Sequence, residues 1–147
     1  MIRRFGDTPV AGARYQHRPG VYAILPREGL VLLTFQSGTQ PELQLPGGGI
    51  DPGESPIQAL HREVYEETGW RITAPRRIGA FRRYAYMPEY GLHAEKLCAI
   101  YLARPVAQLG PPVEDDHLAM WSRPDEAVRE LGNPGDRHFM GRFVIGV

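Results

Sequence analysis

Two apolar runs, Val21-Tyr22-Ala23-Ile24-Leu25 and Leu30-Val31-Leu32-Leu33-Thr34-Phe35, flank Pro26-Arg27-Glu28-Gly29, and together they predict a hairpin with a four-residue connection. Leu43-Gln44-Leu45 predicts a short third strand, stopped by Pro46-Gly47-Gly48-Gly49. Further strands are expected over residues 78–87 and 96–102, separated by a loop over 88–94, and around Met120-Trp121-Ser122. Residues 125–131 read as a helix. Asn133-Pro134-Gly135 reads as a break before a short terminal segment ending in Phe143-Val144-Ile145. The 17 glycines and 14 prolines fit short strands joined by turns, with few helices. No repeat, low-complexity tract or linker divides the chain, so residues 1–147 are expected to form one domain.

One helix is marked at both ends. Ser55 is a good N-cap, Pro56 suits the first helical position, and Gln58 completes a capping box, which predicts a helix over residues 56–68. Gly69 supplies the left-handed C-cap. At 100° per residue Ile57, Leu60, His61 and Val64 share one face, while Glu63, Glu66 and Glu67 occupy an adjoining arc.

That acidic arc is costly for a solvated helix face. Glu63 and Glu67 are a like-charged i,i+4 pair, and Arg62 is the only basic side chain nearby. Glu66 and Glu67 also stand in the last turn, at the negative end of the helix dipole. A bound cation relieves both penalties. Oxygen donors, with neither a cysteine set nor a histidine pair at ligand spacing, point to Mg²⁺ or Mn²⁺ rather than Zn²⁺. The preceding Leu45-Pro46-Gly47-Gly48-Gly49-Ile50-Asp51-Pro52-Gly53-Glu54 adds a fourth carboxylate and glycines that let the backbone approach a ligand, as a phosphate site built around metal requires.

Composition narrows the class further. Lys+Arg 17 balance Asp+Glu 17, so no broad electrostatic footprint for duplex nucleic acid is expected. The single cysteine, Cys98, lies in the apolar run Leu97-Cys98-Ala99-Ile100 and reads as a buried hydrophobe, which excludes a disulfide scaffold or cysteine-ligated zinc. Gly6-Asp7-Thr8-Pro9 interrupts any leader-like apolar region, and no stretch reaches the ~20 apolar residues that span a bilayer, so the expected location is the reducing cytoplasm.

From Gly48 to Trp70 the chain reads Gly48, five residues, Glu54, seven residues, then Arg62-Glu63-Val64-Tyr65-Glu66-Glu67-Thr68-Gly69-Trp70. This resembles the Nudix hydrolase signature, G-x5-E-x7-R-E-U-x-E-E-x-G-U with U a bulky apolar residue, at every fixed position. The resemblance implies an α/β fold of the Nudix type: an α/β/α sandwich whose mixed sheet carries the signature loop and helix. It also implies Mg²⁺- or Mn²⁺-assisted attack of water on the phosphoanhydride of a nucleoside diphosphate linked to another moiety. By the same resemblance Glu63, Glu66 and Glu67 bind metal or metal-bound water, joined by the backbone carbonyl of Gly47. Gly48, Glu54, Arg62 and Gly69 hold the loop and helix together.

A further acid outside the signature is expected to complete the site. Glu114, in the loop Glu114-Asp115-Asp116, is the first candidate for metal ligand or base; Glu95 is the rival. The substrate is a small nucleotide, with nucleoside triphosphates, dinucleoside polyphosphates and nucleotide sugars all open. Residues 88–95 resemble faintly the loop of ADP-sugar pyrophosphatases. Arg82 and Arg83 are candidates for phosphate, and Tyr84, Tyr86 and Tyr90 for base stacking, with Glu95 at the same place. No membrane partner is expected, and a homodimer stays open. The opposing reading is a Nudix-like domain that binds a nucleotide without turning it over.

Overall fold

The computed structural model describes residues 2–38 and 40–146. In chain order these contain β1 (Arg3–Arg4), β2 (Tyr15–Ile24), β3 (Pro26–Arg27), β4 (Leu30–Gln36), β5 (Glu42–Gln44), β6 (Gly47–Gly49), α1 (Pro56–Thr68), β7 (Trp70–Met87), β8 (Leu92–Gln108), β9 (His117–Ser122), α2 (Pro124–Glu130) and α3 (Pro134–Ile145). One sheet has the order β1-β7-β8-β2-β6, with β2 parallel to β8 and β7 antiparallel to it. In the other, β4 pairs β3 and β5 along one edge and β9 along the opposite edge.

Period-2 alternation divides the core into two. Val21, Ala23 and Leu25 pack with Leu32 and with Ala59, Leu60 and Val64 of α1. Ile24 turns to the other side, with Val31, Leu33, Phe81, Cys98 and Ile100, under Ala127 and Leu131 on the α2 side and Phe139 and Met140 of α3. The result is the three-layer α/β/α sandwich with a mixed sheet. Each fully buried Leu or Val of α1 contributes about 1.5–3 kcal/mol through the area it removes from water.

α1 has the predicted limits and both predicted caps: Ser55 accepts from the Gln58 backbone N–H, the Gln58 side chain accepts from Ser55, and Gly69 is left-handed at φ 77°. Of its expected apolar face Leu60 and Val64 are buried, whereas Ile57 is 39% exposed and Ala59 is buried instead. Cys98 is buried, and burial pushes its thiol up to about 12.

The predicted hairpin is different. Val21 to Ile24 pair with β8 and β6, and the chain changes sheet at Leu25. Only Pro26–Arg27 folds back on β4, about a two-residue turn in which Glu28 (φ 51°) and Gly29 (φ 81°) are both left-handed, the type I′ geometry that matches strand twist. Glycines 47–49 do more than stop a strand, because they form β6 against β2. β7 begins at Trp70, well before residue 78, and β8 runs on to Gln108. Asn133-Pro134 starts a helix rather than breaking the chain: Asn133 Oδ1 accepts the Asp136 N–H at 2.8 Å, and Pro134 is the first helical residue.

Candidate active site

The glycine strand β6 approaches α1 most closely at Gly48, where a Cβ would fall 2.5 Å from the Glu63 carboxyl carbon. Gly47 sits at φ 152°, and a Cβ there would run into the Val21 carbonyl of β2. The Gly47 N–H donates to Glu67 Oε1 at 2.9 Å, which fixes the buried carboxylate at the turn between the two elements.

Arg62 ties the loop to the helix. Its Nε and Nη2 donate to Glu54 at 2.7 and 2.9 Å, its Nη2 also to the Gly49 carbonyl, and its Nη1 to Glu63 and Glu66 at 2.9 and 3.2 Å. The guanidinium thereby holds the Glu54 carboxyl down at about 2. It reaches two of the three helix glutamates; Glu67 lies beyond it.

Glu114 is brought in by the helix end. The Glu66 backbone carbonyl, which has no partner within the helix, accepts the N–H groups of Val113 and Glu114 at 2.8 and 3.2 Å. Single donor atoms of Glu63, Glu66 and Glu114 thus lie within 4.8 Å of one another, as do those of Glu67, Glu114 and His117. Burial, reinforced by neighbouring carboxylates, raises the pKa of Glu63 and of Glu114 and pushes that of Glu67 well up. Three partly desolvated carboxylates that resist ionising in each other's company form an oxygen-rich set that fits a hard divalent cation.

Glu63, Glu67, Glu114 and His117 of these groups line a cavity of about 250 Å³. The same cavity is lined by Arg83 of β7 and Lys96 of β8, which are register partners, with Glu42, Tyr22 and Asp136. Burial and Arg83 lower the pKa of Lys96, burial drives the Tyr22 hydroxyl well above its usual range, and burial pushes the Asp136 carboxyl up to about 6. Among the described residues Glu42 Oε1 is buried without a hydrogen bond, 3.8 Å from Arg83.

The structure brings Glu63, Glu66, Glu67, Glu114 and Gly47 together, with Gly48, Glu54, Arg62 and Gly69 in supporting positions. It does not bring Arg82, Tyr84, Tyr86 or Glu95 into the cavity. Strand alternation points them to the opposite face from Arg83 and Lys96, where Tyr84 packs on Tyr15 and donates to Glu95, and Glu95 lies 3.6 Å from His17. Tyr90 is 61% exposed in the β7–β8 turn. Sequence reasoning missed His117, Lys96, Glu42 and Asp136. A histidine three residues after Glu114, at the first position of a strand, was the one local signal for His117.

The chain matches the NUDIX domain model over residues 16–143 and belongs to the NUDIX family. Among curated proteins it is 36% identical over 73 residues to a putative 8-oxo-dGTP diphosphatase of Bacillus subtilis, a match covering 50% of this chain and 49% of that one. It is 52% identical over 54 residues to the RNA pyrophosphohydrolase of Photorhabdus laumondii, covering 36% of this chain and 30% of that one. The matches therefore span about half or less of the length of these relatives. Among solved structures, a NUDIX hydrolase from Nitrosomonas europaea aligns with a TM-score of 0.71 at 23% identity, covering 89% and 90% of the two chains. A MutT protein from Bacillus halodurans aligns at 0.69 and 22%, covering 84% and 80%. At these identities the structural likeness concerns the fold.

Proposed function

We propose that the chain, acting as a single catalytic domain, is a metal-dependent pyrophosphohydrolase that cleaves the phosphoanhydride of a nucleoside diphosphate linked to another moiety. The observation that carries this is the convergence of Glu63, Glu66, Glu67 and Glu114, from a helix and a separate loop, with Glu63, Glu67 and Glu114 lining a cavity that also offers Arg83 and Lys96. Glu63, Glu66, Glu67 and Glu114 would hold Mg²⁺ or Mn²⁺, with the Gly47 carbonyl as a further donor. When bound, the metal supplies charge neutralisation of the diphosphate and a water of lowered pKa.

The chain's own residues do the rest. Glu114, on a loop fastened to the end of α1 by the hydrogen bonds to the Glu66 carbonyl, takes a proton from the attacking water at a carboxylate oxygen. The new P–O bond forms as the anhydride P–O bond breaks, and the leaving phosphate departs with the bonding pair. Arg62 holds Glu63 and Glu66 in place, and Arg83 and Lys96 orient the distal part of the substrate.

Hydrolysis at the triphosphate end of an RNA is the second reading, supported by the Photorhabdus relative and by a separate hollow lined by Arg3, Arg77, Arg142, His138, Phe5 and Phe139. A Mg²⁺ assay over nucleoside triphosphates, nucleotide sugars, dinucleoside polyphosphates and a 5′-triphosphate oligonucleotide, with products resolved by chromatography, separates these readings. Turnover is expected with Mg²⁺ and not with excess EDTA. Equal turnover in EDTA overturns metal dependence, and nucleotide binding without any cleavage turns the reading to a non-catalytic sensor.

A further inference from the structure

His117 has no part in the reading above, yet its imidazole is aimed into the acidic cluster. Its side chain is only 3% exposed. Nδ1 lies 2.8 Å from Oγ1 of Thr34, a fully buried residue on the neighbouring strand β4. Nε2 lies 3.2 Å from Glu114 Oε2 and 3.5 Å from Glu67 Oε2, and among the described residues it makes a hydrogen bond with neither.

We propose that His117 Nε2 is a metal ligand, completing with Glu67 and Glu114 a nitrogen–oxygen site for a borderline cation such as Zn²⁺ or Co²⁺, beside the all-carboxylate group of Glu63, Glu66 and Glu114. The proposal rests on the metal-dependent reading of the cluster and adds a second donor chemistry to it.

Three features carry it. The first is the ring's orientation: Nδ1 pairs with Thr34 Oγ1, and in the tautomer that donates Nδ1–H to that oxygen the Nε2 lone pair faces Glu67 and Glu114, which is how an outer hydrogen bond prepares a ligating histidine. The second is spacing. Donors about 2.0–2.1 Å from a tetrahedral ion stand roughly 3.3 Å from one another, and the two separations from Nε2 are 3.2 and 3.5 Å. The third is that in this tautomer a lone pair on a nearly buried imidazole converges with two carboxylates, one of them also nearly buried, and a cation between them satisfies all three. Because imidazole is a softer donor than carboxylate, this site favours Zn²⁺ or Co²⁺, whereas the all-oxygen group suits Mg²⁺. Glu114 belongs to both groups.

The test is metal binding by the metal-free chain, independent of turnover. Zn²⁺, Co²⁺ and Mg²⁺ are titrated by calorimetry into the parent, His117→Gln and Thr34→Val, with visible absorption following Co²⁺. Any nitrogen–oxygen site prefers Zn²⁺ to Mg²⁺, so the informative result is the selective effect of the variants. His117→Gln is expected to lose at least about 100-fold in Zn²⁺ affinity, with Mg²⁺ affinity within about twofold. Thr34→Val is expected to lose about 10- to 100-fold for Zn²⁺. Equal Zn²⁺ affinity in parent and His117→Gln overturns the proposal, as does a loss that is the same for both metals. A readout on the parent alone guards against misfolded variants: in ¹H–¹⁵N spectra of the imidazole, the Nε2 resonance of His117 should shift on Zn²⁺ addition while Nδ1 keeps its proton. An unmoved Nε2 overturns the proposal. EDTA-resistant turnover would sink the metal-dependent function while leaving this binding result standing.

Discussion

Asp136 offers a stability prediction whose sign is opposite to that of most carboxylates. It is 2% exposed, its Oδ2 accepts the Leu45 N–H at 3.2 Å, and its pKa is pushed up from 3.8 to about 6, chiefly by burial, with the hydrogen bonds from Leu45 and Asn133 acting the other way. Between those two values the folded chain keeps a proton that the unfolded chain has released. Stability must therefore fall as pH rises through this window, and above pH 6 the full cost is present. A shift of roughly two units at 1.36 kcal/mol per unit gives about 3 kcal/mol. Asp136→Asn keeps an oxygen for the Leu45 N–H and removes the charge. Its new amide protons add a pH-independent cost of about 1–3 kcal/mol if they find no acceptor, so the informative quantity is the change in the variant-minus-parent difference with pH. Urea unfolding of both chains at pH 4, 5, 6 and 8 should show the variant gaining about 2 kcal/mol on the parent between pH 4 and pH 8, because at pH 4 the unfolded carboxyl is already partly ionised. With roughly 2–4 °C per kcal/mol for a domain near this size, that corresponds to about 4–8 °C in Tm. A difference that does not change with pH, or a parent that gains on the variant as pH rises, refutes the reasoning.

Glu67→Gln should cut kcat by ~10²- to 10³-fold, the scale of losing one preorganised electrostatic group; its Tm in EDTA should be unchanged or higher, because the amide oxygen still accepts the Gly47 N–H and a buried charge is gone. Activity within twofold of the parent contradicts the assignment. Gly48→Ala places a methyl on the Glu63 carboxyl and should weaken Mg²⁺ binding, read by calorimetry, with the far-UV circular dichroism spectrum retained. Unchanged Mg²⁺ affinity would mean that Glu63 does not hold the metal. Glu114→Gln should lower kcat at saturating Mg²⁺, whereas Glu95→Gln should leave both kcat and KM near the parent, because Glu95 faces Tyr84 and His17 across the sheet. Kinetics over a Mg²⁺ series check both, and a collapsed kcat in Glu95→Gln alone reverses the roles.

What was legible in the sequence is what local chemistry determines. The limits of α1 follow from Ser55, Gln58 and Gly69, each of which meets its partner within a few residues. Asn133-Pro134 carried the same kind of signal, an N-cap followed by proline at the first helical position, and reading the pair as a breaker cost the whole of α3. The hairpin failed for a nonlocal reason. Val21-Tyr22-Ala23-Ile24-Leu25 is apolar on both faces because it is covered by α1 on one side and by α2 and α3 on the other, and such a run does not reveal whether its partner is the next strand or one more than seventy residues away.

The candidate site divides along the same line. Glu63, Glu66 and Glu67 were readable because one helix presents them together, at a position where like charges need a counter-ion. Glu114 was readable as an acid on a loop, but its arrival depends on hydrogen bonds from residues 113 and 114 to the exposed carbonyl of Glu66, a contact no pattern of side chains announces. On β7, the sequence offered Arg82 and Arg83 side by side, and only the register of β7 against β8 decides that Arg83 shares the cavity with Lys96 while Arg82 turns away. A one-residue slip of β7 would exchange them and carry Tyr84 inward in place of Phe81, while the pairing of β8 with β2 keeps Lys96 on the cavity side. Which β7 and β8 side chains enter the cavity is therefore set by strand register, whereas the facing of Glu63, Glu66 and Glu67 is set by helix phase, and a helix phase is fixed by caps written in its own sequence. Under the proposed function, a change in the turn joining β7 and β8 should for that reason alter which nucleotide is accepted without touching Glu63, Glu66 and Glu67.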